Sequence, residues 1–579
     1  MTSVRVSPAT RVATSPASGK THCPDGRPAV PALALLGLLL AAGCTGQVAG
    51  GVGGGTGPGA GGSPSTGTTG DPNKPTPGAP PTVSAPATGQ RLTDRQYLNV
   101  ASDLFAVDVT AGMVSFPLDP KLEGFRNAAA ALLPSDVRIE GYASVADLVA
   151  QKTPWPALLA QNGLCTDLGA KCQGDFFARI GRRLFRRPLT DEETHRFSAI
   201  FDAVAKEGDG FLVAVPLVVS AMMQSPPFLY RLEKTAAKAD DFEVASRLSF
   251  LLWNSTPDDA LLDAAAHGQL ATAAGLQAEV NRMVGDPRAR RALRDYVDDW
   301  LDVEKLQRTS RDTDLFPKFT GALAGEMREE IHRLFERIVW QEDGDLTGVL
   351  TADRTSITAG LAGLYGVPAP TAPGFSDQSL AAVATREGLL TQPGILTLTS
   401  VGGKGSSIVD RGAFVARNIL CRHIPEPPSN VPQLPPPDKG KSERDRLAQH
   451  RADPACGACH DQLDPLGLAF ETYDAIGALQ TMDEFGNPLT GSGVITVGNK
   501  PVTYDNVRTF LDALVKAPEL SSCMVSKMVQ YTFARPLAAV DQPVVEGLTT
   551  RFDQGGRKYK GFLVALATSP WIRSAGVSP

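Results

Sequence analysis

The sequence has no excess of basic residues and, apart from one stretch near its start, no long apolar run. Its 56 Lys and Arg residues are outnumbered by 62 Asp and Glu residues, which gives a formal net charge of -6. This balance offers no basic surface to a phosphate backbone, so we expect no nucleic-acid partner. The longest apolar run in the body of the chain, residues 211–223, is too short to span a membrane and contains Pro216. It is predicted to be a buried helix.

Two common catalytic motifs are also missing. The glycine-rich stretch at residues 401–407 lacks the G-x-x-x-x-G-K-[ST] spacing of a phosphate-binding loop, and the G-x-S-x-G turn that exposes a nucleophilic serine does not occur. Adjacent carboxylates do occur, at Asp258/Asp259 and Asp298/Asp299, but neighbouring residues on a helix do not face each other. We interpret both pairs as surface charges or partners of helix N-termini, and not as a hydrolytic acid and base.

The first 90 residues have the features of an export signal followed by a tether. Basic residues precede an apolar run at residues 29–42, which has the length of a signal-peptide core. Small residues then lead directly to Cys44, as in a bacterial lipobox, so residues 1–44 are predicted to be a signal peptide in which Cys44 receives lipid. Residues 45–90 are rich in Gly, Pro, Ser and Thr and are predicted to be a disordered linker. We therefore expect an exported lipoprotein, anchored to a membrane and facing the periplasm or the cell surface.

The most informative stretch is Cys456-Gly457-Ala458-Cys459-His460, which has the C-x-x-C-H spacing of haem c attachment. In that chemistry two thiols hold the porphyrin and the adjacent imidazole binds the iron, so all three groups must come from one short segment. The motif predicts haem c as the cofactor, with Cys456 and Cys459 as attachment residues and His460 as the proximal ligand. A thioredoxin-like dithiol is disfavoured, because no βαβ pattern surrounds the motif.

Zinc is the alternative cofactor. A zinc site needs four ligands, so Cys456 and Cys459 would have to be joined by two of His460, His423, His450 and Cys421. For haem, a sixth ligand would favour electron transfer and an open position would permit chemistry with small ligands. The spacing leaves this distal ligand open, and the candidates are Met482, Met524, Met528 and His450.

The predicted export of the protein indicates what the remaining cysteines do. Of the eight cysteines, Cys23 lies in the predicted signal peptide, and Cys44 and the two motif residues have roles already. An oxidising envelope favours disulfides among the other four, which are Cys165, Cys172, Cys421 and Cys523. A Cys165–Cys172 bond would close a short loop, and a Cys421–Cys523 bond would join the chain before the motif to the C-terminal helices. Three pairings are possible from the sequence.

Helical periodicity dominates the chain after residue 90, and the fold is predicted to be mostly α. Thr93, Thr190 and Asp286 stand at helix starts, with Glu193 completing a capping-box spacing and Pro287 in a first turn. A short β excursion is expected near residues 491–502, followed by two or three helices. The expected architecture is a multi-domain helical body with a small C-terminal cytochrome-c-like module. Its predicted segments are residues 91–152, 153–236, 237–385, 386–480 (with the proline-rich stretch and the haem motif) and 481–579.

Five motifs in chain order resemble those of one family, the planctomycete-type c-haem proteins built from domains of unknown function 1587, 1595, 1592, 1588 and 1585. The motifs are the opening helix at residues 91–105, Arg187-Pro188-Leu189-Thr190, Trp253-Asn254-Ser255-Thr256-Pro257, the stretch from Arg411-Gly412 through the haem motif, and Ser569-Pro570-Trp571 near the end. The resemblance extends over nearly all of the chain from Arg91. It implies an exported protein with one haem c and no established catalytic activity.

The sequence therefore favours a lipid-anchored protein with one haem c that transfers electrons in the envelope or supports an oxidoreductase. Its partners would be an envelope redox protein and, through the lipid, a membrane. One alternative is an envelope scaffold stabilised by zinc or disulfides. Another is a protein that binds or hydrolyses envelope polysaccharide without redox activity.

Overall fold

The computed structural model describes residues 89–109, 116–231, 239–400, 407–425 and 439–574, which all belong to one compact unit spanning residues 78–579. The predicted signal peptide, Cys44 and the linker up to residue 88 lie outside these ranges, as do the glycine-rich residues 401–406 and the proline-rich residues 426–438. The fold is mostly α, as the periodicity predicts. Among the described residues, none of the helices has both the length and the apolar character needed to cross a membrane.

The first part of the fold is a group of helices that pack around their own core. Thr190 forms the predicted capping box with Glu193, and Thr93, predicted as a helix N-cap, forms one with Gln96, since each threonine side chain accepts a hydrogen bond from the third helical residue. The apolar run is a helix with Pro216 inside it, and its inner face packs into this core. The described residues up to 231 form eight α-helices: α1 (Asp94–Phe105), α2 (Asp136–Lys152), α3 (Trp155–Gln161), α4 (Ala170–Phe176), α5 (Arg182–Phe185), α6 (Asp191–Lys206), α7 (Phe211–Met223) and α8 (Pro226–Leu229).

The middle of the chain contributes several helices to the main core. Asp286 caps one of them and Pro287 lies in its first turn, as predicted. The described residues 239–400 form seven α-helices: α9 (Asp241–Trp253), α10 (Asp259–Ala266), α11 (Ala273–Val284), α12 (Pro287–Trp300), α13 (Gly321–Glu336), α14 (Ala359–Tyr365) and α15 (Pro393–Leu398). Their buried faces share one apolar cluster with the C-terminal helices, so this core continues from the centre to the end of the fold.

The last part of the chain contains the C-x-x-C-H motif, and its helices complete the main core. Its described residues form seven α-helices: α16 (Ile408–Phe414), α17 (Glu443–Arg451), α18 (Pro454–Gly467), α19 (Val507–Leu514), α20 (Glu519–Phe533), α21 (Gln542–Gln554) and α22 (Tyr559–Ala567). Four of them follow residue 507, whereas the sequence predicts two or three. The reason is that a break at residues 534–541 separates α20 from α21, with Ala534 in a left-handed conformation at φ 54°.

Strands are few and occur as antiparallel pairs. The predicted β excursion is a hairpin of β5 (Gly493–Val497) and β6 (Lys500–Tyr504). Two other pairs join segments distant in sequence: β1 (Gln90–Arg91) with β2 (Tyr230–Arg231), and β3 (Arg354–Ile357) with β4 (Ser376–Ser379). Gln90, the last residue of the predicted linker, is thus already part of the fold.

Buried arginines connect the central helices to the motif region. The Arg386 guanidinium lies between the rings of Tyr365 and Tyr473, 4.8 and 4.7 Å from their centroids, and donates to the Gly477 carbonyl. Arg411, in the Arg-Gly motif, donates to carbonyl oxygens of residues 470, 473 and 474, and burial lowers its pKa to about 10. A buried arginine without its acceptors is costly, so Arg386 fixes the motif region on the central helices, and Arg411 fixes its own helix against the chain that follows the motif.

Glu330 is a fully buried carboxyl group inside the central core. Its Oε1 accepts hydrogen bonds from the Thr355 and Tyr365 hydroxyls, 2.6 and 2.5 Å away. Among the described residues, its Oε2 and the Oε1 of nearby Gln392 have no hydrogen-bond partner. Burial raises the pKa of Glu330 to about 7, against the opposing effect of the two hydroxyl groups. The folded protein therefore holds this proton over a pH range in which the unfolded chain has released it.

We expect this proton to make stability fall as pH rises. Between the usual glutamate pKa and about 7 the folded state binds more protons than the unfolded state, so the free energy of unfolding decreases by about 3 kcal/mol across that interval. The Glu330→Gln variant has no such proton, and its urea unfolding, measured from pH 4.5 to 8, should lack this decline. Glu342→Gln, which removes an exposed carboxyl group, is the control. Parallel pH profiles for the wild type and Glu330→Gln would contradict the prediction.

Candidate functional site

The two motif cysteines and His460 lie on one helix, α18. Ser442 caps the preceding helix α17 through a capping box with Asp445, and the chain then turns at residues 452–453 into Pro454, the first residue of α18. Cys456 and Cys459 are three residues apart and so share one face of α18, with His460 next to them. Both cysteines are half-buried free thiols. The donor set of a c-type haem, two thiols and an imidazole from a single turn, is thus present.

The four remaining cysteines of the folded region form disulfides. Cys165 is bonded to Cys172, and Cys421 is bonded to Cys523, with Cα–Cα distances of 5.5 and 5.2 Å. The second bond joins residue 421, just after α16 and its π-helical continuation, to α20. The motif thiols are therefore the only unbonded cysteines among the described residues.

His460 is held by a buried carboxylate one helical turn further along. Its Nδ1 lies 2.9 Å from Oδ1 of Asp464, whose side chain is 1% exposed. The nearest cation to the other carboxylate oxygen is Arg451, with its Nε at 3.7 Å. Burial raises the pKa of Asp464, and the hydrogen bond from His460 partly offsets this increase. With Nδ1 engaged, Nε2 is the nitrogen left for a metal, which is the arrangement typical of metal-binding histidines.

A close helix crossing fixes α18 against α16. A Cβ atom on Gly412 would overlap the Leu463 carbonyl, and one on Gly467 would overlap the Ile408 carbonyl. The two backbones therefore meet at a distance that no larger residue allows. The Tyr504 hydroxyl adds a hydrogen bond to the Pro465 carbonyl at 2.6 Å. These contacts place Asp464 in the interior, beneath His460.

The structure brings one of the four distal-ligand candidates next to His460. The His450 ring packs edge-to-face against the His460 ring, with centroids 4.8 Å apart. In the described arrangement the two rings are in direct contact. Met524 and Met528 are core residues of α20, and Met482 is 59% exposed.

The ligands of the zinc alternative do not converge in the structure. Cys421 is bonded to Cys523, and the atoms of Cys456, Cys459, His460 and His450 do not form a cluster of three within 4.8 Å. Among the described residues one group meets that spacing, Cys165, Asp167 and Cys172, and its two sulfurs are bonded to each other.

The two carboxylate pairs have different surroundings. Asp258 caps α10 by accepting from the Leu261 amide, and Asp259 binds Arg182 and Arg183, as the interpretation of helix N-terminal partners predicts. Burial raises the pKa of Asp259, but the two arginines outweigh this and lower it to about 2. For the second pair the interpretation is wrong. Asp298 is buried against His332 at 2.8 Å, and Asp299 is buried against Arg126 at 2.6 Å, because α12 runs through the core.

Two side chains beside the motif, Asp464 and Arg451, are not singled out by the sequence analysis. The His-x-x-x-Asp spacing places Asp464 one turn after His460, which is a usable signal. Its burial is a property of the helix crossing and has no local sequence signature.

The folded part of the chain matches several protein-family models. Five models, each described as a protein of unknown function, match in order: DUF1587 at residues 90–153, DUF1595 at 172–233, DUF1592 at 239–367, DUF1588 at 386–483 and DUF1585 at 502–571. Helix α18 lies within the DUF1588 match. No curated protein and no solved structure matches the chain significantly.

These models define a class of cytochrome-c-like domains whose function is unknown. The chain belongs to the planctomycete family in which all five domains occur together, the family indicated by its motifs.

Proposed function

We propose that this protein is an exported, lipid-anchored cytochrome with one covalent haem c, which transfers electrons in the cell envelope or supports an oxidoreductase partner. The observation that carries the proposal is the contrast among the cysteines. Four form disulfides, while Cys456 and Cys459 are free, on one helical face, beside an imidazole whose Nδ1 is already engaged. Free thiols beside structural disulfides are expected where another group occupies them.

The residues of α18 would each have a defined task. The sulfurs of Cys456 and Cys459 would hold the porphyrin, His460 would offer Nε2 to the iron, and Asp464 would keep the ring in position. Bound haem would supply one-electron chemistry. The non-converging ligands and the Cys421–Cys523 bond favour this function over the zinc scaffold.

Export and anchoring are supported by two independent features. The sequence before the folded region has a signal-like apolar run that ends at Cys44. The two disulfides of the folded region are stable in an oxidising compartment and rare in the cytosol. The partner would be an envelope redox protein that receives or supplies the haem electron.

The test is an absorption spectrum of the mature protein, produced together with a haem c maturation system. We expect a Soret band, a reduced α-band in the range of c-type haems, and haem that remains with the protein after extraction with acidic acetone. A protein without these bands that binds about one zinc per chain would overturn the proposal and leave the scaffold function.

A further inference from the structure

The His460–Asp464 contact is a short hydrogen bond between two largely buried side chains. The nitrogen and oxygen atoms are 2.9 Å apart, and the side chains of Asp464 and His460 are 1% and 17% exposed. A hydrogen bond to an ionised acceptor is stronger than one between neutral groups, and low exposure protects it from competition by water. Asp464 thus acts on His460 at short range and with little screening.

Among the described residues, His460 is the one hydrogen-bond partner of the Asp464 carboxylate, whereas Arg451 and His450 act on its charge without a hydrogen bond. Among the described residues its Oδ2 has no hydrogen-bond partner, and Arg451 approaches only to 3.7 Å. The single hydrogen bond that the carboxylate accepts from a described residue comes from His460. Its negative charge is therefore directed mainly at the imidazole N–H, and the ring becomes a more basic ligand at Nε2.

We propose that Asp464 is a positioning residue that makes His460 a strongly donating iron ligand and thereby holds the haem at a low reduction potential. The inference rests on the proposed function, because it requires iron at Nε2 of His460. A more basic ligand stabilises the ferric ion more than the ferrous ion. The module is then suited to pass electrons onward to a partner of higher potential.

The structure also offers a matched control. Asp461 lies on the same helix, next to His460 in sequence, and its side chain is exposed. Asp464→Asn and Asp461→Asn remove the same charge from nearby positions, and an asparagine at 464 still offers an oxygen to the His460 N–H. A difference in the iron–imidazole stretching frequency between the two variants therefore reports the hydrogen bond to His460, whereas a difference in potential also includes the weaker screening of the buried charge.

The experiment measures the reduction potential and the iron–imidazole stretching frequency by resonance Raman spectroscopy in holoprotein whose covalent haem has been verified. We expect Asp464→Asn to raise the ferrous-to-ferric ratio at a fixed potential about ten-fold, which corresponds to about 59 mV for a one-electron couple. Its stretching frequency should fall, while Asp461→Asn stays close to the wild type in both measurements. Equal shifts in the two variants, or no shift in Asp464→Asn, would overturn the inference.

Two further outcomes are informative. If Asp464→Asn does not acquire haem, Asp464→Glu replaces it, and a potential close to that of the wild type supports the inference whereas a raised one overturns it. If the wild type itself acquires no haem, the proposed function fails and the inference fails with it. An intact haem c with an unchanged potential in Asp464→Asn would refute the inference alone.

Discussion

Replacing Cys456 and Cys459 with serine is expected to abolish covalent haem attachment completely and to leave the rest of the fold intact. A thioether bond requires the sulfur atom, and serine has nearly the same shape but no such reactivity. Both thiols are half-buried and outside any disulfide, so the double variant loses no cross-link and creates no cavity. The change therefore separates haem attachment from folding.

The measurement is haem absorbance retained after extraction with acidic acetone, combined with far-ultraviolet circular dichroism for the helical content. A matched control exchanges the bonded pair, Cys165→Ser/Cys172→Ser, which should keep all of the haem. Covalent haem that persists in the Cys456→Ser/Cys459→Ser protein would contradict the prediction. So would its loss in the control variant while that protein remains helical.

Much of the helical fold follows from local signals in the sequence. Thr93 and Thr190 begin helices because their hydroxyl groups satisfy free backbone amides, and Pro287 fits a first turn because its missing N–H is not needed there. These causes act over three or four residues, so the local sequence contains all the information needed to predict where each helix begins. The haem motif belongs to the same class, since its three groups come from five consecutive residues.

Features that depend on long-range packing escaped the sequence analysis. The strand Ser376–Ser379 consists of polar residues without β propensity, and it exists because Arg354–Ile357 offers it a pairing edge. Asp298 resembles a surface charge in the sequence and is buried because α12 and α13 bring His332 and Arg328 against it.

The same division applies to the candidate site. Cys456, Cys459 and His460 are visible in the motif, whereas Asp464 acquires its place beneath His460 only when α16 crosses α18 at Gly412 and Gly467. A distal ligand would also be set by packing. For this reason spacing alone leaves four candidates, and the structure adds that the His450 ring contacts the His460 ring.

The second large effect is expected from the disulfide that joins the motif region to the C-terminal helices. Cys421 and Cys523 are 102 residues apart in sequence, and a cross-link restricts the unfolded chain more as the loop it closes becomes longer. Breaking it in Cys421→Ser/Cys523→Ser should lower the free energy of unfolding by about 4 kcal/mol. The Cys165–Cys172 bond closes a loop with a separation of only 7 residues, so its removal should cost about 2 kcal/mol.

Comparing the two double variants tests how the length of the closed loop affects stability. Both variants exchange two sulfurs for two hydroxyl groups. Their free energies of unfolding, measured with denaturant under oxidising conditions, should therefore differ mainly because the released loops differ in length. The loss should be roughly twice as large for Cys421→Ser/Cys523→Ser, and reductant should lower the stability of each variant by about the amount that the other bond contributes. Equal losses, or a smaller loss for the long loop, would contradict the prediction, because the contribution of each bond would then not depend on the length of the loop that it closes.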